Sequence, residues 1–286
     1  MSIRTRFAPS PTGQLHLGNI RAAAFNWLLT KSLGGAFILR IEDTDTERNV
    51  AGGQKALLDD LRWLGLHWDE GPDIDGPHGS YQQSERSALY NGQVDRLIDS
   101  GAAYPCFCAD WGGGQHDVDP QEVLHQYPGT CRNLDLDERN ARLKEGEPYV
   151  VRFSVPQGQE EVTVEDEVFG LISFPINDID DFVIRRTDGR VTYNFGVVVD
   201  DIDMEITHVI RGVGHLSNTP KQALLFDAFG SGRPKFAHLP TVLGPDGRKL
   251  SKREGATSVR ELKAQGYPPN AVLNYVSLLG WSHPEE

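Results

Sequence analysis

The sequence predicts an α/β fold in which a core domain is interrupted by a second, inserted one. Three observations carry that expectation: strand-, helix- and strand-like segments open the chain, the pattern changes between about Tyr104 and Phe182, and core-type segments then resume. A chain of 286 residues, 38% hydrophobic and 24% charged, is long enough for one large domain with an insertion or for two domains.

Taken in order, Ile3 to Ala8 reads as a short strand ending at Pro9, after which Pro11-Thr12-Gly13 turns the chain into a helical pattern. That helix carries Ile20, Ala24, Trp27 and Leu28 at three- and four-residue spacing. Ala36 to Ile41 is a compact apolar run between Gly35 and an acidic cluster, as suits a buried strand. Two helices follow, one with Leu57, Leu61 and Leu64 stopping at Gly65, the other with Leu89, Val94, Leu97 and Ile98 stopping at Gly101. The 104–182 stretch brings cysteines, Gly112-Gly113-Gly114 and short alternating runs such as Tyr149 to Val155. Beyond it, Tyr193 to Val199 and Thr207 to Arg211 read as core strands. Thr219-Pro220 reads as a helix start with Thr219 as N-cap and Pro220 first in the helix, and Gly230 closes that helix. A turn at Pro245-Asp246-Gly247, a basic loop and a helix from about Pro269 to Leu279 complete the pattern, with no internal repeat.

Composition narrows the function. Apolar runs are only a few residues long, and the N-terminus, Met1-Ser2-Ile3-Arg4, is not a signal peptide, so no membrane partner and a cytoplasmic location are expected. A formal net charge of -13 excludes indiscriminate nucleic-acid binding, which depends on Lys and Arg neutralising phosphates; any RNA contact must be local. Cys106 and Cys108, in a set of three cysteines, suit metal binding better than a disulfide framework.

Two segments carry chemistry. Phe7-Ala-Pro-Ser-Pro-Thr-Gly-Gln-Leu-His-Leu-Gly-Asn19 links the first strand to the first helix, where free backbone N–H groups and the helix dipole suit an anion and Gly13 and Gly18 allow close approach. Alone it is equally a Pro/Gly turn with a surface histidine. The second, Arg248-Lys-Leu-Ser-Lys-Arg253, supplies cations for charge developing on a departing pyrophosphate; alone it is a solvated basic loop.

Together they resemble the HIGH and KMSKS motifs of class I aminoacyl-tRNA synthetases, in the order and separation of a Rossmann-type core with an insertion. The likeness extends through Arg40-Ile-Glu-Asp-Thr-Asp45, Trp68-Asp-Glu-Gly-Pro72, Asp181-Phe-Val-Ile184, Thr192-Tyr-Asn-Phe195, Val199-Asp-Asp201 and His215-Leu-Ser-Asn-Thr-Pro220, so that essentially the whole chain is similar to the glutamyl-tRNA synthetase family.

That resemblance implies a division into 1–103, the first half of the Rossmann core; 104–182, an inserted acceptor-binding domain; 183–238, the second half; and 239–286, the KMSKS-like loop with stem-contact helices. It implies ATP, with Mg2+, and L-glutamate as substrates and the acceptor end of a tRNA as partner, in a protein expected to be a monomer. Arg6, Tyr193 and Arg211 would surround the glutamate carboxylates, Ser10 and Glu42 the amino group, with Ala8 beside them. Guanidinium forks do suit carboxylates, and Glu42 suits an ammonium. His16, Gly18, Asn19, Lys249, Ser251 and Lys252 would hold ATP, His16 and Lys252 serving catalysis. Cys106, Cys108, Tyr127 and Cys131 resemble the family's zinc knuckle, with His125 or His116 as alternatives to the phenol in a tetrahedral structural site. Arg185-Arg186 and the 248–253 loop are expected patches for RNA.

The chain departs from the family at Val213-Gly214, where relatives commonly carry two acidic residues beside the ATP site. It also ends at Glu286, where full-length members continue into anticodon-binding domains. Three readings stay open: a short or truncated glutamyl-tRNA synthetase, which the 249–259 stretch and the Leu278-Leu-Gly-Trp281 ending favour; glutamyl-queuosine tRNA(Asp) synthetase; and an inactive paralogue that binds glutamate, nucleotide or tRNA.

Overall fold

A computed structural model describes residues 2–45, 49–108, 127–244, 247 and 258–280. In chain order the core opens with β1 (Arg4–Phe7), α1 (Leu17–Leu33), β2 (Ala36–Leu39), α2 (Gly53–Trp63) and α3 (Ser87–Asp99). Gly34 in the left-handed conformation (φ 69°) ends α1, and Gly35 follows because a side chain there would run into the Ile3 carbonyl. Ile20 and Ala24 of α1 are buried as expected, whereas Leu28 faces outward at 39% exposure.

Next come β3 (Ala103–Cys106), α4 (Leu136–Lys144), β4 (Val150–Phe153), β5 (Glu161–Asp166), β6 (Gly170–Pro175) and β7 (Val183–Arg185). The chain returns through α5 (Tyr193–Asp203), β8 (His208–Gly212), α6 (Thr219–Ala228) and β9 (Lys235–Leu239), and ends in α7 (Val259–Ala264) and α8 (Pro269–Leu278).

Two sheets result. The six-stranded sheet has the order β2-β1-β8-β9-β5-β6, parallel from β2 to β5 and closed by the antiparallel β5–β6 hairpin. The second is antiparallel, in the order β3-β4-β7. The 104–182 segment contributes to both, because β5 pairs onto β9 through Asp166 and Phe236. β4 is buried at all four positions instead of alternating, since it lies between β3 and β7.

One expected strand is a helix. Tyr193 to Val199 forms the first two turns of α5 although its valine run favours a strand. Phe195, Val198 and Val199 pack into the main core while Asp200 and Asp201 enter a buried ion network, and that packing overrides local propensity. The start of α6 is also displaced: Asn218 is its N-cap and Thr219 its first residue, because the Thr219 hydroxyl is engaged by Arg211 rather than by the helix end. The turn residues Pro245 and Asp246, the 248–253 loop and Trp281 onward lie outside the described residues.

Candidate active site

The parallel strands β2, β1 and β8 deliver three charged side chains to their carboxyl ends, where the ligand crevice of an open α/β sheet forms. Arg6 lies near the end of β1, Glu42 follows β2, and Arg211 lies near the end of β8. Tyr193 joins them from the first residue of α5, and His215 from the 3-10 turn Val213–Asn218.

Two adjoining cavities occupy this crevice. The larger, of about 640 Å3, is lined by Ser10, Glu42, Arg186, Arg190 and Tyr193 among others. The smaller, of about 340 Å3, is lined by Arg6, Gly18, Arg21, Arg211, Val213 and Gly214 among others. Ala8, His16, Asn19, Glu42, Tyr193 and His215 line both, so the two form one cleft. Every sequence-predicted substrate residue that is described lines it: Arg6, Ala8, Ser10, His16, Gly18, Asn19, Glu42, Tyr193 and Arg211. Lys249, Ser251 and Lys252 lie outside the described residues.

The cleft meets the N-terminus of α1. His16 is the N-cap residue in a capping box with Asn19, its backbone N–H 3.5 Å from Asn19 Oδ1, and no acidic residue occupies the first turn, so the N–H groups outside that box and the dipole favour an anion there. The Val259 N–H donates to the Leu15 carbonyl (3.0 Å), and His16 and Ser258 form a β-bridge. The chain therefore re-enters the described structure against His16, six residues after Lys252.

Beneath the cleft is a buried ion network whose pairings no sequence motif shows. Arg40, wholly buried, lies 2.7 Å from Asp201, 3.2 Å from Glu42 and 3.5 Å from Asp200. Arg6 Nε donates to Asp201 (3.1 Å), which fixes the fork near the cleft. Burial works against the Arg40 charge, but Asp201, Asp200 and Glu42 overcome it and raise its pKa. Glu42 moves upward for the same first cause: burial raises its carboxyl pKa despite Arg40 and Arg6. A ligand ammonium beside Glu42 would relieve that penalty.

Arg211 is held by two donations, Nε to His238 Nε2 (3.0 Å) and Nη2 to Thr219 Oγ1 (2.9 Å). Its Nη1 is buried with no hydrogen-bond partner among the described residues, and burial lowers its pKa to about 10, leaving it a cation at neutral pH. Tyr193 shares a 3.1 Å hydrogen bond with His215 Nδ1. Desolvation, then Arg211 and Arg6, lowers the His215 pKa to about 4, so this ring is neutral at neutral pH. His215 stood inside the quoted His215-to-Pro220 motif, yet nothing in the sequence ties it to Tyr193.

The three cysteines converge apart from the cleft: the Cys106, Cys108 and Cys131 sulfurs lie within 4.8 Å of one another. Tetrahedral zinc with Zn–S bonds of about 2.3 Å needs sulfurs roughly 3.8 Å apart, which the 3.5 Å Cys108–Cys131 separation nearly meets. The phenolic oxygen of Tyr127 accepts from the Cys106 thiol (3.2 Å) and from the Cys131 N–H (3.0 Å). The donor set fits a structural zinc, with Tyr127 at its edge; His116 and His125 lie outside the described residues.

A model of the family "tRNA synthetases class I (E and Q), catalytic domain" matches residues 2–286. The glutamate--tRNA ligase of Hydrogenobaculum sp. (strain Y04AAS1) is 50% identical over 282 residues, covering 98% of this chain and 59% of that relative. That of Aquifex aeolicus (strain VF5) is 49% identical over 286 residues, covering 99% and 58%. A crystal structure of a glutamate tRNA ligase from Elizabethkingia meningosepticum CCUG26117 in complex with its amino acid superposes with a TM-score of 0.88 at 35% identity, covering 100% of this chain and 62% of that one. The chain thus spans less than two thirds of the length of these relatives.

Proposed function

We propose that this chain, which belongs to the class I tRNA synthetases (E and Q), catalytic domain, activates L-glutamate with Mg-ATP and passes it to the acceptor end of a tRNA. The observation that carries the reading is the convergence of two arginines, Arg6 and Arg211, with one carboxylate, Glu42, in a cleft that runs to the N-terminus of α1. Glutamate offers two carboxylates and one ammonium, the complementary charges. A neutral side-chain amide would leave a buried guanidinium without its counter-charge, which is the physical basis for preferring glutamate to glutamine.

The residues divide the work by position. Arg6 and Arg211 orient the carboxylates, Glu42 and Ser10 take the ammonium, and Tyr193 closes the side between the two cavities. The N-terminal turn of α1, with His16, Gly18 and Asn19, takes the phosphates of Mg-ATP. The glutamate carboxylate attacks the α-phosphorus, forming glutamyl-adenylate and releasing pyrophosphate, whose charge His16 and Lys252 offset. A hydroxyl of the RNA end then displaces AMP. Orientation and charge stabilisation supply the rate, and no protein nucleophile is needed. Val213 and Gly214 line the smaller cavity, so its nucleotide side lacks two carboxylates common in the family.

Arg186 and Arg190 line the larger cavity and mark the side from which an RNA end enters. With a chain charge of -13, that contact is local and weakens as salt rises. Cys106, Cys108 and Cys131, with Tyr127, hold a zinc that braces the β3 end of the inserted segment, where it supplies structure and takes no part in the reaction.

The test is transfer of radiolabelled glutamate to total tRNA, with and without prior enzymatic removal of the tRNA 3'-terminal adenosine. Acid-precipitable label is expected only on tRNA that keeps this adenosine. Equal labelling of tRNA that lacks it would move the acceptor from the tRNA end to a base within it.

A further inference from the structure

The Arg211 guanidinium lines the cleft while two of its nitrogens are hydrogen-bonded to His238 and Thr219. Behind it, away from the cleft, two fully enclosed side chains form a line: Asp166 on β5 (2% exposed) and His238 on β9 (0% exposed). Asp166 Oδ2 lies 2.6 Å from His238 Nδ1, and His238 Nε2 lies 3.0 Å from Arg211 Nε. Asp166 is itself fixed by backbone N–H groups of Val168, Phe169 and His238 at 3.0 to 3.1 Å.

The geometry permits one protonation state. An arginine Nε can only donate, so His238 Nε2 must present its lone pair, and the ring proton then resides on Nδ1 and goes to Asp166. The Thr219 hydroxyl, 3.1 Å from the same Nε2, shares that lone pair. Burial, the largest influence, lowers the His238 pKa and keeps the ring neutral, in keeping with an acceptor. With Nε and Nη2 engaged, the fork has one buried nitrogen, Nη1, left without a hydrogen-bond partner among the described residues.

We propose that Asp166 and His238 are positioning residues for substrate binding: the carboxylate selects the tautomer of His238, and His238 fixes the guanidinium plane of Arg211 so that its remaining donors meet a glutamate carboxylate. This rests on the reading of Arg211 as a glutamate ligand. It places a determinant of amino-acid affinity on β5, in the 104–182 segment, which pairs with the core sheet beside β9.

Two side-chain replacements separate the roles. His238→Gln sets an amide oxygen near the Nε2 position and keeps an acceptor for Arg211. His238→Asn keeps a donor near Nδ1 for Asp166 and loses that acceptor. By isothermal titration calorimetry, His238→Asn weakens L-glutamate binding about ten- to a hundredfold, as expected for a lost hydrogen bond to a charged group, while ATP binding stays within about twofold of wild type. His238→Gln recovers most of the glutamate affinity. A role confined to stitching β5 to β9 would weaken both ligands alike, or neither; either result overturns the proposal. Nitrogen-15 NMR of wild-type His238 supplies a readout that needs no variant to fold: a proton on Nε2 overturns the relay. Failure of the wild type to bind glutamate, with the Nδ1–H tautomer present, overturns the assignment of Arg211 and the proposal with it.

Discussion

At the scale of single residues, the cleft is held in shape by buried charges. Arg40 is the hub, and losing it would leave Asp200, Asp201 and Glu42 short of one counter-charge. Breaking a buried ion pair from one side costs about 3–5 kcal/mol, so Arg40→Met is expected to lower unfolding stability by that order in urea denaturation; a loss below about 1 kcal/mol would mean that water or protonation replaces the guanidinium. Acid acts through the histidines. His215, His238 and His208 all have pKa values lowered first by burial, so between the ordinary histidine value of about 6.5 and the folded values the unfolded chain binds more protons. Their contribution is complete above that ordinary value and is lost as pH falls through it. The melting temperature is expected to drop between about pH 7.5 and about pH 5.5, and to drop less in His215→Gln; equal drops in the two proteins would contradict the assignment. The residues that line the cleft were legible because they sit inside short motifs. Arg40, Asp201, His238 and Asp166 were not legible as a network: Arg40 and Asp201 are 161 positions apart, Asp166 and His238 72, and no local pattern links them.

At the scale of elements, α5 shows why a helix was needed where the valines suggested a strand. Tyr193 and Asp201 are eight residues apart, about 12 Å along a helix and about 26 Å along a strand. Only the helix lets its first residue line the cleft while Asp201 holds Arg6. Gly196, inside α5, has a helical backbone, and a β-carbon there would meet Val191 at an ordinary 3.6 Å. Gly196→Ala is therefore expected to stabilise by about 0.5–1 kcal/mol. Gly71 is the converse, since a β-carbon would stand 2.6 Å from Trp68; Gly71→Ala is expected to destabilise by about 1–3 kcal/mol. Parallel chemical denaturations check both, and a shared sign would refute the packing argument. α7 went unread although its signal was present: Ser258-Val-Arg-Glu261 has capping-box spacing, and the Ser258 side chain accepts the Glu261 N–H as Glu261 accepts the Ser258 N–H. Most core strands and helices were legible from periodicity and glycine stops. The β5–β6 hairpin was not, because its pairing with β9 is decided by partners remote in sequence.

At the scale of the whole molecule, the parallel strands of one sheet collect charged groups at their carboxyl ends, and the second sheet places Cys106 of the cysteine cluster. No cysteine lines the cleft, so the two are expected to separate experimentally. Metal analysis of protein purified without chelators is expected to find one zinc per chain, lost in Cys131→Ser, with glutamate affinity little changed and the melting temperature lowered. Zinc-free protein of unchanged stability would remove the knuckle. The most direct test of glutamate activation is amino-acid-dependent exchange of pyrophosphate into ATP, with and without total tRNA, comparing the wild type with Lys252→Ala. Exchange that requires glutamate, is not supported by glutamine and is lost in Lys252→Ala is the expected result, whether or not tRNA must be present. No exchange under either condition, from folded protein, would contradict glutamate activation and point to the two carboxylates missing at Val213 and Gly214.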